Sequence, residues 1–161
     1  MKRVLLTCWI FLLPIVLSAQ DFTSIFLEKN GVDSTLTRVT ISPKMMEEIL
    51  KSDTDKNEDI MEIISSLKSM QILSSSANGE SYFRKARKVV EDHSKRFEPY
   101  LSYADENENC QIVVRKRGGS IVELIMLMVE EDRFAIINFT GKIKPEFIST
   151  LTQSMTRKHS S

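Results

Sequence analysis

Residues 110–140 read CQIVVRKRGGSIVELIMLMVEEDRFAIINFT, and this stretch decides the fold. Three apolar-rich runs, 110–116, 120–129 and 133–140, are divided by two short polar reversals. Gly118 and Gly119 supply the positive φ angles that a tight hairpin needs, and Glu130, Glu131 and Asp132 form the second reversal. Runs joined this closely pair as antiparallel neighbours, because a parallel return requires a crossover of about a dozen residues or more. The stretch is therefore a three-strand meander, which excludes a doubly wound parallel sheet. Apolar residues occupy both alternating positions of the central run 121–129. One face is thus expected under helices, and the other is either covered by the remaining elements or is an interaction surface.

Working outward, Gly141 and Pro145 frame a last helix with Phe147, Ile148, Leu151 and Met155 turned inward. Before the meander, Tyr82, Phe83, Ala86, Val89, Val90, His93 and Phe97 recur at three- and four-residue steps. They predict a helix over about 80–98, closed by Pro99, with Tyr100, Leu101 and Tyr103 extending its packed face. Met70, Ile72 and Leu73 mark a short strand ended by the serines 74–76 and Asn78-Gly79. A helix from about Glu58 carries Ile60, Met61, Ile63, Ile64 and Leu67. Ser42 and Pro43 open another, with Met45, Met46, Ile49 and Leu50 inward, broken by the polar stretch 52–57. Alternation of Thr37, Val39 and Ile41 against Arg38 and Thr40 gives a strand over 36–41. Asp21 caps a first helix whose Phe22, Ile25 and Phe26 share one face and whose stop is Asn30-Gly31. The order predicts an α+β fold, with helices packed on one face of a mostly antiparallel sheet of about five strands ending in the meander. It forms one domain over 20–155, followed by a flexible tail over 156–161.

The composition fits that reading. The 161 residues are 42% apolar, with 22 basic side chains against 22 acidic ones. A domain of this size buries roughly 70% of its unfolded surface and needs no disulfide or metal staple. Balanced charge argues against a nucleic-acid binder working by counterion release. Lys2 and Arg3 precede an apolar run over 4–17 and then Ser18, Ala19, Gln20 and Asp21, which is the order of a secretory signal peptide. The apolar run is shorter than the roughly 20 residues of a bilayer span and contains Pro14, so no transmembrane anchor is expected. Cleavage is expected after Ala19 or, alternatively, after Gln20. Cys8 lies inside the apolar run rather than after it, which argues against lipidation. Loss of 1–19 leaves 20 basic against 22 acidic side chains and one cysteine, Cys110, so no intramolecular disulfide is possible. A lone thiol in an oxidising compartment is best buried, and Cys110 is expected to face the core.

The run Gly118-Gly119-Ser120-Ile121-Val122-Glu123-Leu124, the acidic turn, Phe134-Ala135-Ile136-Ile137 and Gly141-Lys142-Ile143 resemble a known family. Together with the leader, the early Phe-rich helix and the strand that precedes a Met-rich helix, the chain is similar to the exported bacterial domain of unknown function four-two-five-two. The resemblance spans nearly the whole mature chain and contains no catalytic motif. It implies a small exported α+β domain of Gram-negative bacteria, and it transfers no functional residues.

Chemistry-bearing residues are sparse. A Cys-His nucleophile would need Cys110 beside His93 or His159, yet His93 lies on an apolar helix stripe and Cys110 alternates with Ile112 and Val114. A zinc site needs three or four ligands of His, Cys or carboxylate type, so neither zinc nor another cofactor is expected. Asp53-Thr54-Asp55-Lys56-Asn57 and Asp105-Glu106-Asn107-Glu108-Asn109 begin like calcium loops, but Glu58 and Cys110 replace the turn glycine and Ile64 and Lys116 the bidentate glutamate. Both read as solvated turns. Glu130, Glu131 and Asp132 read as a polar reversal rather than an acid-base pair, and Asn138-Phe139-Thr140 is a glycosylation sequon inside a strand.

The basic residues offer more. Arg84, Lys85, Arg87, Lys88, Lys95 and Arg96 line the outer side of the long helix, and Arg115, Lys116 and Arg117 crowd one hairpin tip. Such a face is either a solvated surface or a contact for an anionic membrane or acidic partner. Glu91 and Asp92 precede Lys95 and Arg96 by four residues, the orientation that favours ion pairs within a helix. The expected function is a non-enzymatic exported binding or accessory module, periplasmic or at the cell surface, that contacts a protein or envelope component. Two alternatives remain open: an enzyme with a Glu, Asp, Ser and Tyr site that lacks a recognisable motif, or an anion-binding module using the basic helix face.

Overall fold

A computed structural model describes residues 20–52, 62 and 64–158. Residues 1–19, expected to be a leader, the stretch 53–57, expected to be a turn, and Ile60, Met61, Ile63 and His159 lie outside the described residues, as do the side chains of Ile49, Leu50 and Met155. The described elements are α1 (Phe22–Asn30), β1 (Thr37–Ile41), α2 (Pro43–Ser52), β2 (Leu67–Ser75), α3 (Gly79–Asp92), β3 (Glu98–Ala104), β4 (Glu108–Arg117), β5 (Ser120–Glu130), β6 (Arg133–Ile143) and α4 (Pro145–Lys158). Every strand pairing is antiparallel, in the order β1-β2-β6-β5-β4-β3. The α+β class and the meander over β4, β5 and β6 stand as read from the sequence.

The sheet has six strands rather than about five, and the addition is β3. The helix expected over 80–98 stops at Asp92, where His93 leaves helical geometry at φ −117° and ψ 33°. The chain then turns through His93–Phe97, with Arg96 and Phe97 both donating their amides to the His93 carbonyl. Pro99 suits the strand that follows, because it lacks an amide donor and is tolerated in a sheet at an edge strand. Phe97 still packs inward, fully buried, edge-on to Phe22 with ring centroids 5.2 Å apart.

Helices occupy both faces of the sheet, not one. Side chains alternate along β5, so Ile125, Leu127 and Val129 meet α1 and α3, whereas Leu124 and Met126 meet the side of α2 and α4. Phe22, Phe26, Phe83, Ala86 and Val89 close the first core over Val113, Phe134 and Ile136. Met46 and Ile148 close the second over Ile112, Val114 and Phe139. A strand apolar on both faces requires this, since each fully buried aliphatic or Phe side chain contributes about 1.5–3 kcal/mol. The interaction-surface alternative for the second face is thereby removed over the central strands.

Local chemistry fixes the ends of elements as expected. Asp21 caps α1 by accepting the Ser24 amide at 2.8 Å, and Gly31 ends it at φ +77°. Gly118 and Gly119 take φ +57° and +79° between the paired residues Arg117 and Ser120. Leu67 begins β2 instead of ending a helix. Val39, on the edge strand β1, and Met45, on α2, are exposed rather than buried. Helix α4 continues to Lys158.

Candidate interaction surface

A polar cluster surrounds Glu123, which is fully buried on the α1 face of β5. Glu123 Oε1 accepts the Phe22 amide at 2.6 Å and Asn138 Nδ2 at 3.0 Å, and Oε2 accepts Arg115 Nε at 2.6 Å. Asn138 Nδ2 also reaches Thr23 Oγ1 at 3.3 Å, while its Oδ1 is buried without a hydrogen-bond partner. Outward from it, Gln71 donates to Asp21 at 2.8 Å and Arg38 donates to Gln71 at 2.9 Å. These contacts tie the start of α1 to β2, β4, β5 and β6. Both carboxylate oxygens of Glu123 are occupied by donors belonging to the protein, so the cluster is an internal clamp. Asn138, the sequon asparagine, is at 0% exposure within it.

Cys110 and His93 are held on opposite sides of the sheet. Cys110 is buried in the α2 and α4 core, and burial pushes its thiol up to about 11, so it stays protonated at neutral pH. His93 caps α3, with Nδ1 2.9 Å from the Val89 carbonyl and its ring beside Phe97. Asp105 ends β3 as a turn: its Oδ1 accepts the amides of Asn107 and Glu108, each at 2.8 Å, and its Oδ2 accepts the Tyr103 hydroxyl at 2.9 Å. In the β5–β6 turn Asp132 accepts the Gly79 amide through its carbonyl at 2.9 Å and its side chain at 3.0 Å. That acidic reversal therefore anchors the start of α3.

The nine basic candidates divide into two groups. Arg84, Lys85, Arg87 and Lys88 are exposed along the outer side of α3, while Tyr82, Phe83, Ala86, Val89 and Val90 are buried on its inner side. Lys85 Nζ lies 5.2 Å from the centroid of the Tyr82 ring, and Lys88 reaches Asp92 at 3.4 Å. Asp92 also pairs with Lys29 of α1. Arg87 overlooks a shallow groove of about 420 Å³ floored by Ser102, Ala104, Asn109 and Gln111 of β3 and β4.

The second group gathers at the opposite end of α3. Arg96 donates to the Gln20 carbonyl and lies 5.3 Å from the Phe97 ring, and burial followed by the Arg115 charge pushes its guanidinium below the ordinary value. Arg115 is spent on Glu123, and Lys116 pairs with Glu98 at 2.8 Å. Lys95 and Arg117 remain exposed. Arg96 belongs to neither helix nor strand, because α3 ends before it. A second cleft, about 620 Å³, opens beside it between α1 and the α3–β3 connection, lined by Ile25, Glu28, Lys29 and His93.

Over residues 31–151 the sequence matches the family described as domain of unknown function (DUF4252). The chain belongs to the DUF4252 family. No curated protein and no solved structure matches it. The matched span runs from the end of α1 into α4 and so contains the whole sheet and the basic face of α3. Among the described residues no helix is long and apolar enough to cross a membrane.

Reading the sequence missed Glu123 as the centre of a buried network and β3 as a strand. The first carried one signal, a lone acid within the apolar run 121–129. The second carried Pro99 followed by alternating Tyr, Leu, Ser and Tyr and then the Asp-Asn turn, the pattern of an edge hairpin.

Proposed function

We propose that this DUF4252 domain is an exported binding module of the bacterial envelope that acts by contact rather than turnover. Its contact face is the outer side of α3 together with the groove under Arg87. One observation carries this reading: four exposed cations, Arg84, Lys85, Arg87 and Lys88, stand in a row on a helix whose inner side is locked into the core. Such a row is rigid and concentrates positive potential over a polar groove, which suits an acidic protein or another anionic envelope component. The leader 1–19 directs the chain to that compartment.

The test is made in a bacterium producing the full chain. Sequencing the N-terminus of exported protein should begin at Gln20, and a photo-crosslinking side chain at position 84 or 87 should yield a discrete adduct in the intact envelope. The adduct should fade as salt is raised and disappear when the other cations are reversed, as in Lys85→Glu with Lys88→Glu. Retention of the leader inside the cell, or adducts indifferent to both salt and charge reversal, would overturn the reading.

A further inference from the structure

Two asparagines of the chain are followed by glycine, in Asn30-Gly31 and Asn78-Gly79. This dipeptide is chemically labile, because no β-carbon on the second residue hinders attack by its amide nitrogen on the asparagine Cγ. The N–C bond that forms expels the side-chain nitrogen as ammonia and closes a five-membered succinimide. Water then opens the ring at either carbonyl, giving aspartate or isoaspartate. Ring closure needs two motions. The glycine nitrogen must leave its hydrogen-bond acceptor, and the asparagine must rotate about ψ to bring that nitrogen onto its own Cγ.

The fold restrains these motions firmly at Asn78-Gly79. The Asn78 side chain is exposed and makes no cap hydrogen bond, so the restraint lies in Gly79. The Gly79 amide donates to the Asp132 carbonyl at 2.9 Å and to Asp132 Oδ1 at 3.0 Å. Gly79 is buried, and a Cβ there would stand 2.6 Å from the Asp132 carbonyl carbon, so the two backbones touch. Rotation about the Asn78 ψ would have to swing the start of α3, whose Tyr82, Phe83, Ala86 and Val89 are buried in the core.

Asn30-Gly31 is held only by the last turn of α1. The Gly31 amide donates to the Leu27 carbonyl at 2.8 Å, and Asn30 Nδ2 donates to the Phe26 carbonyl at 2.9 Å. A last helical turn is the part that frays first. Gly31 is exposed, and a Cβ there would meet nothing within 4 Å. The chain beyond it stays exposed through Thr35 and is next held at Asp33, whose Oδ2 accepts the Tyr82 hydroxyl at 2.8 Å. Opening this turn leaves Phe22, Ile25 and Phe26 seated in the core.

We infer that Asn30 is a site of spontaneous modification in the folded protein, converting to aspartate and isoaspartate, and that Asp132 protects Asn78 from the same reaction. Conversion at Asn30 removes the donor to the Phe26 carbonyl and places a carboxylate at the negative end of the α1 dipole. The converted protein keeps its core and frays further at the end of α1.

The test holds the folded protein in mildly alkaline buffer, where the glycine amide gives up its proton more readily. Samples are digested over time, and the peptides containing residues 30 and 78 are followed by mass spectrometry, with isoaspartate resolved by chromatography. Conversion at 30 should outpace conversion at 78 by about tenfold or more, and in urea the two rates should come within a few-fold of each other. Asp132→Ala, shown to be folded by circular dichroism, should speed conversion at 78 and leave the rate at 30 unchanged. Asn30→Gln, which would have to close a six-membered ring, should abolish the first signal. Conversion at 78 as fast as at 30 in the folded protein would overturn the inference. So would an unreacted Asn30 in folded protein over a period in which the urea-unfolded chain converts, and an Asp132→Ala variant that reacts at 78 no faster than the parent would overturn the protective role.

Discussion

At the scale of the residue, Glu123 shows how one acid can be placed in an apolar strand. Its carboxylate is reached by a backbone amide, an amide side chain and a guanidinium, so its charge is matched where water is absent. Breaking such a pair from one side leaves the other group buried and unmatched, which costs about 3–5 kcal/mol. Glu123→Ala is therefore expected to lower unfolding free energy by that amount in urea. Arg115→Met combined with Glu123→Leu should recover a substantial part of the loss, which a double-mutant cycle reads directly. Cys110 makes a second prediction. The unfolded thiol ionises from 9.0, while the folded one holds its proton up to about 11. Between those values the unfolded state binds fewer protons, so stability falls as pH rises across that window and levels off above it. Two pH units correspond to on the order of 2 kcal/mol. Comparing urea midpoints at pH 8 and about pH 10.5, Cys110→Ala should lose less stability than the parent by roughly that amount.

At the scale of the element, two glycines mark contrasting demands on the backbone. Gly141 has φ +132°, and a Cβ there would stand 2.6 Å from the Lys68 amide nitrogen and 2.7 Å from the Ser66 carbonyl. The β2–β6 register shift sits at this point, so the bulge exists because two backbones touch. Gly118 has φ +57°, and a Cβ there would meet nothing within 4 Å. Gly118→Ala should therefore cost only the left-handed penalty, about 1–2 kcal/mol, and Gly141→Ala clearly more, measured as the difference in thermal midpoint. The helix-to-strand change at Asp92 belongs to this scale too. Helical periodicity through His93 and Phe97 was legible, and it described residues that are partly or fully buried. Periodicity reports which side chains are buried. It does not distinguish a continuing helix from a turn that delivers Phe97 to the same core.

At the scale of the whole molecule, the meander, the α+β class, the capping of α1 by Asp21 and the burial of Cys110 were all legible, because each depends on neighbours in sequence or on strict alternation. The candidate surface was legible only in part. Arg84, Lys85, Arg87 and Lys88 stand together because helical spacing alone places them on one side of α3. Arg96 and Arg115 looked equally available, yet one is held by the Gln20 carbonyl and the other by Glu123. Those partners lie on other elements, and charge pattern carries no record of them. What residue order determined here is local: strand alternation, helix faces, caps and turns, each set by backbone geometry over a few residues. Which cations are spent, which sheet face is covered and which strand is left at the edge were decided only by the tertiary structure. These depend on the pairing of groups that must lose water together, and that pairing is set by how separate elements pack rather than by the pattern within any one of them.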